Sequence, residues 1–347
     1  MAIIKKHYGF LPSGKEVFSF TIKNDAIHVE LLNLGATINK LFIKDKNGIF
    51  KNVVLGFDNL SSRLTYSEYH GVIVGRYCNR IKGGEFSLNS KKYILPKNEK
   101  GITCLHGNDE YSNAVWEYEF LSGKSIAFTY FSPDMTNGFP GNLDNKVTYS
   151  ITDDGDLIID YFTTTDSETV LNLTNHAYFN LNGAGSEAVL NHNFTINANY
   201  FIPTDEKSIP TGEISSVKGT PFSFVKEKQL GQDIDNDDIQ LKNSGGYDHN
   251  FCINDYDGTL KTAAIIKGDK SGIKLTLKTT LPGFQLYSGN FLSGEGEKPN
   301  HYLGKRAGFC LETQFYPDSP NNSHFPSSII TPDIPYKSTT IFSFSTI

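Results

Sequence analysis

The side chains most able to do chemistry in this chain surround His176, in the run Leu-Asn-Leu-Thr-Asn-His-Ala-Tyr-Phe-Asn-Leu at 171–181. Side chains alternate across a strand, so Leu171, Leu173, Ala177, Phe179 and Leu181 are expected on one face. Asn172, Thr174, His176, Tyr178 and Asn180 then share the other. The first face reads as core and the second as a row of neutral hydrogen-bonding groups around one imidazole. Such a row suits a polyhydroxylated ligand, because each hydroxyl both donates and accepts. An imidazole among them can move a proton near neutral pH. The pattern points to sugar chemistry.

Further candidates follow the same logic. In Phe309-Cys-Leu-Glu-Thr-Gln-Phe315 the alternation puts Cys310, Glu312 and Gln314 on one face. A Glu inside an apolar strand is costly to bury unless paired, so it lies at an edge or has a task. In Gly245-Gly-Tyr-Asp-His-Asn-Phe251, Asp248 offers a carboxylate for two hydroxyls, although an Asp after Gly-Gly also suits a turn. Gln285 and Tyr287 share a face of Pro282–Tyr287, which an exposed strand explains as well. His106, in Leu105-His-Gly107, ends a strand where Gly107 allows close approach by a ligand; a surface-loop histidine is the plainer account. Asn79 and Arg80 close the loop Gly75-Arg-Tyr-Cys-Asn-Arg-Ile81, where a guanidinium can fork onto vicinal hydroxyls or a carboxylate. Trp116, the only tryptophan, reads as core rather than as a stacking platform.

Other chemistries lack their patterns. The nine histidines show no metal-ligand spacing, and no glycine-rich phosphate loop or nucleophile elbow is present. The expectation is an acid/base site that uses no metal and no cofactor.

The elements that must hold these residues are strands. Ile27–Leu32, Phe86–Leu88, Ile126–Phe131, Leu157–Phe162, Phe194–Ile196, Ile273–Leu277 and Ile341–Phe344 are apolar or alternating runs. Turn signals such as Lys46-Asn47-Gly48 and Asp257-Gly258 separate them. Helical periodicity is scarce; Asn59–Tyr69 and Lys226–Gly231 are the expected short helices, and Asp233–Asp238 a surface loop. The spacing predicts an all-β sandwich, and the lack of repeats or linkers predicts one domain over residues 1–347. A formal charge of −6 argues against nucleic acid or an anionic membrane as partner. Four widely spaced cysteines make no disulfide scaffold, and no signal peptide or spanning segment is visible, so a cytoplasmic location is expected. Only four of the 32 basic residues are arginines, and two of those, Arg76 and Arg80, share one loop.

Taken in order, these motifs resemble the aldose 1-epimerase (galactose mutarotase) family. The likeness runs from Asn33-Leu-Gly-Ala-Thr-Ile38 and Asn52-Val-Val-Leu-Gly-Phe57 through the Gly75–Ile81, Leu105–Gly107 and Gly138-Phe-Pro-Gly141 segments. It continues through Asn172–Gly183, Gly246–Phe251, Pro282–Asn290, Leu311–Gln314 and Pro317-Asp-Ser-Pro-Asn321. The resemblance implies a large antiparallel β-supersandwich, a small-molecule aldose in an open cleft, and a monomer or homodimer. It implies Glu312 as catalytic base, His176 as catalytic acid and His106 as a second active-site histidine. Arg80, Asp248 and Gln285 then match sugar-binding positions, and Asn79 matches one in some members. In the implied reaction the Glu312 carboxylate deprotonates the anomeric hydroxyl while a His176 imidazolium protonates the ring oxygen, and Glu312 is expected to raise the histidine pKa. Two positions depart from the family pattern, Asn108 and Met135, each standing where glycine is common. Three alternatives remain at this point. A glycoside hydrolase would use Asp248 and Glu312; a hexose-6-phosphate epimerase would recruit Arg76; a sugar-binding module would keep only the cleft.

Overall fold

The computed structural model describes residues 2–294 and 303–347. Three antiparallel sheets dominate. The largest has nine strands, in the order Glu117–Ser122, Ser125–Ser132, Leu143–Ile151, Asp156–Thr165, Tyr336–Thr346, Ile273–Thr279, Lys261–Lys267, Asn193–Ile196 and Lys228–Gln229. Its central strands alternate buried and half-buried residues, because one face meets the core and the other meets water. A five-stranded sheet of the first 52 residues runs in sequence order. The apolar sides of all three sheets join in one cluster that includes Phe20, Leu41, Tyr149, Ile159, Phe251, Leu275, Phe309 and Phe342.

The six-stranded sheet differs from the others. Its order is Tyr178–Phe179, Phe309–Gln314, Gly283–Tyr287, Asp248–Cys252, Tyr200–Ile202 and Ser215–Ser216. Every residue of Phe309–Gln314 and of Asp248–Cys252 is buried, so both faces are covered. Phe309, Leu311 and Thr313 face the large sheet, where Thr313 and Thr340 share a hydroxyl hydrogen bond of 2.6 Å. Cys310, Glu312 and Gln314 face the opposite way, as their alternation requires.

The seven apolar or alternating runs from Ile27–Leu32 to Ile341–Phe344 lie within strands. The helix at Leu60–Tyr66 forms where expected, with Asn59 Oδ1 accepting from the Ser62 backbone N–H. The second expected helix does not. Lys228–Gln229 is instead the edge strand of the large sheet, since its backbone pairs with Asn193–Phe194. The helix in that region is Ile239–Ser244, started by the Asp238 side chain and ended by Gly245 at φ 66°. Asp233–Asp238 therefore leads into a helix. No helix among the described residues is long and apolar enough to cross a membrane.

Candidate active site

The 171–181 run is not one strand. Thr174–Asn175 pairs with Ile73–Val74, and two residues later Tyr178–Phe179 pairs with Phe309–Cys310 in the six-stranded sheet. The chain between them turns His176 toward the sheet face that carries Cys310 and Glu312. The apolar side is core as expected, but the expected row of sugar-facing polar groups is overturned. Asn172 exchanges hydrogen bonds with the backbone of Phe315, and Asn180 donates to the carbonyls of Glu187 and Ala307. Thr174 is buried as well. Of that row, only His176 and Tyr178 line the cleft.

The cleft has a volume of about 840 Å³ and opens over the six-stranded sheet. Register sets what lies at its floor: Glu312 pairs with Gln285, and Gln285 with Asn250, in one row across three strands. Of these Glu312 lines the cleft, while Gln285 is buried and bonded to Asp248 and Gln314. The next row is Tyr178, Cys310, Tyr287 and Asp248. Asp248 sits in the strand rather than in a turn, and its Oδ1 accepts from Gln285 Nε2 at 2.6 Å. Arg80 stands at the wall, with Nη1 3.7 Å from Asp248 Oδ2. Its fork is held on the other side by Glu99 in two bonds of 2.7 and 2.8 Å. Glu99 lines the cleft and was invisible to sequence reasoning, because a lone Glu in Lys-Asn-Glu-Lys reads as a solvated loop charge.

The second wall is a two-stranded pairing of Arg80–Ile81 with Cys104–Leu105. It sets Asn79 and His106 side by side, at left-handed φ of 63° and 52°. The Asn79 backbone N–H donates to His106 Nδ1 at 3.1 Å, which assigns the ring proton to Nε2. Gly107 serves the chain itself rather than a ligand, since a Cβ there would lie 2.2 Å from the Gly75 carbonyl oxygen. Asn108 and Met135 both keep a left-handed backbone, at φ 59° and 60°. Tyr69 closes the wall, its ring against those of His106 and His176 and its hydroxyl donating to Asp109.

At the centre, His176 Nε2 lies 3.6 Å from Glu312 Oε1. Glu312 Oε2 is buried without a hydrogen-bond partner among the described residues. Burial pushes the Glu312 carboxyl well above the ordinary range, with Asp248 adding to the effect and Arg80 opposing it. Burial likewise pulls the His176 imidazole down to about 4, against its own backbone carbonyl and Asp248. The expected rise in the His176 pKa is thus reversed, because desolvation of the ring outweighs its attraction to the Asp248 carboxylate. The contact becomes an ion pair only when the shared proton sits on the histidine; burial alone favours the neutral pair.

His106, His176 and Glu312 offer ligand atoms within 4.8 Å of one another. Their donor chemistry does not suit a metal. His106 Nδ1 is engaged as an acceptor, so its Nε2 carries the proton and cannot also give a lone pair. Arg76 is likewise unavailable to a phosphate. It is fully buried, donating to Ser132 and to the carbonyls of Pro133, Phe139, Pro140 and Gly141. Trp116 is core, its indole N–H donating to the Tyr111 carbonyl.

The aldose 1-epimerase family model matches residues 19–343. A galactose mutarotase from Bos taurus is 40% identical over 99% of this chain and 99% of its own. A galactose 1-epimerase structure from Lactobacillus acidophilus superposes with a TM-score of 0.87 at 28% identity, covering 100% of this chain and 99% of that one. An aldose epimerase homologue from C. elegans gives 0.84 at 31% identity, over 95% and 99%. With a matching model across nearly the whole sequence and full-length relatives at this identity, the chain belongs to the aldose 1-epimerase family.

Proposed function

We propose that this chain interconverts the α and β anomers of aldohexoses such as galactose and glucose, with Glu312 as base and His176 as acid. One observation carries the reading. An acid and a base stand 3.6 Å apart on a buried floor, and the carboxylate has an oxygen to spare. A hemiacetal carbon bears two oxygens that need opposite treatment, the hydroxyl losing a proton and the ring oxygen gaining one. A single acid–base pair reaches both. Sugar hydroxyls donating to Glu312 favour its charged form and so move the shared proton to His176. Glu312 then takes the anomeric proton, His176 protonates the ring oxygen, and the C1–O5 bond opens to the aldehyde. Rotation about C1–C2 and the reverse transfers close the other anomer.

The remaining groups fit binding. The His106 Nε2–H is a fixed donor, Arg80 adds donors, and Asp248 accepts while Gln285 orients it from below. Asn79 shapes the wall through its bonds to His106 and Arg80. The test is polarimetry on freshly dissolved α-D-galactose and α-D-glucose. Acceleration over the spontaneous rate is expected, and no acceleration refutes the reading. Release of sugar from a nitrophenyl glycoside would instead establish hydrolysis.

A further inference from the structure

Behind the cleft, in a small apolar cluster with Leu55, Tyr178 and Leu292, lies a thiol that the proposed acid and base do not account for. Cys310 shares the sheet face of Glu312, two residues away, and is fully buried. Its Sγ lies 3.6 Å from His176 Nδ1, within hydrogen-bonding range for sulfur, while Nε2 of the same ring points to Glu312. The other groups around the ring are Tyr69, Tyr178 and His106, which touch it through ring faces and edges, its own backbone carbonyl, and His70, which acts on it through charge. Asp248 acts on it only through its charge. The thiol is therefore the side chain that addresses Nδ1.

We propose that Cys310 is a positioning residue for ring opening, holding the imidazole with Nε2 toward Glu312 in both of its protonation states. The inference rests on the acid role of His176 and deepens it. During turnover His176 begins as imidazolium, with Nδ1–H donating to sulfur. After Nε2 gives its proton to the ring oxygen, the remaining proton is the one on Nδ1, still facing sulfur, and Nε2 is free to take a proton back on ring closure. A carboxylate at this place would trap the imidazolium. A thiol sulfur is a weak acceptor that takes the Nδ1–H in both states, so it fixes the ring without trapping its charged form. It keeps its own proton throughout, since burial and the Glu312 charge both oppose a thiolate.

The experiment compares wild type, C310S and C310A by polarimetry across pH, with melting curves to confirm folding. C310A is expected to lose about tenfold in kcat with little change in KM, as removal of a group that orients a functional histidine does. Its acidic limb of activity should also shift. C310S, which can still donate and accept, is expected to recover most of the rate and the wild-type pH profile. A wild-type profile and rate in C310A overturns the proposal. So does equal impairment of C310S and C310A, which marks a packing role only. If C310A does not fold, C310S against C310V reads the same contrast. An inactive wild type would refute the mutarotase reading itself and is distinguishable from either result.

Discussion

At the scale of single residues the site depends on how burial distributes one proton. His176 and Glu312 are displaced in opposite directions, the imidazole toward a neutral ring and the carboxylate toward a neutral carboxyl. Rate against pH should therefore be bell-shaped. It falls at the acid end near about 4, where His176 takes a second proton, and at the alkaline end where the shared proton leaves the pair. A profile with no acid limb would contradict the pairing. Glu312→Gln and His176→Asn each remove one proton transfer, so each should cut kcat by about 10²–10⁴-fold while the melting transition survives. Near wild-type turnover in either variant would remove that residue from its role. Glu99 acts differently, by holding the Arg80 fork rather than by moving a proton. E99Q should raise KM about tenfold with a smaller change in kcat, a loss of charge-assisted bonding worth about 1.4 kcal/mol. A change confined to kcat would exclude the positioning role.

Among the elements, strands place most of the site and loops complete it. Alternation in Phe309–Gln314 sends Glu312 into the cleft and Leu311 into the core, so one strand builds both. His106 and Asn79 need left-handed backbones at the junction of two short strands. Met135 is a costlier case. It is a half-exposed side chain, held at φ 60° where the family often has glycine. M135G is expected to raise unfolding free energy by about 0.5–1 kcal/mol, the left-handed penalty less the entropy of glycine. Chemical denaturation checks this, and a loss of stability would show that the side chain itself contributes.

Among the described residues, burial pulls five histidines toward the neutral form, the half-buried His28 and four buried ones. His70 is pulled to about 3, His176 and His249 to about 4, and His106 well below its ordinary value. In the unfolded chain each takes up a proton below about 6.5. The unfolded state then binds more protons than the native state, so stability is lost as pH falls through this window. Each histidine contributes about 1.4 kcal/mol per pH unit at most. Glu312, Glu110 and Asp318 work in the opposite sense, since burial raises their pKa values and lets the native state hold protons there. Glu110 and Asp318 also accept hydrogen bonds that oppose the rise, so the histidines dominate. Guanidinium unfolding at about pH 7 and about pH 5.5 should show clearly lower stability at the lower pH. Equal stability would mean that these rings are not neutral in the native protein.

Much of this protein was legible in one dimension. Period-two alternation marks the strands and their faces, and residue types single out His176 and Glu312, because both signals are local. The ordered motifs add the family, since their sequence spacing needs no folding to be read. What the sequence could not decide is which polar groups meet. Asn172 and Asn180 look like His176 in a strand pattern, yet backbone partners from distant segments consume them. Arg76 and Arg80 share one loop, but one is spent on carbonyls and the other faces the cleft. The direction of the His176 pKa was decided by tertiary structure too. Burial is set by everything packed around a ring, and here it outweighs the attraction of the Asp248 carboxylate.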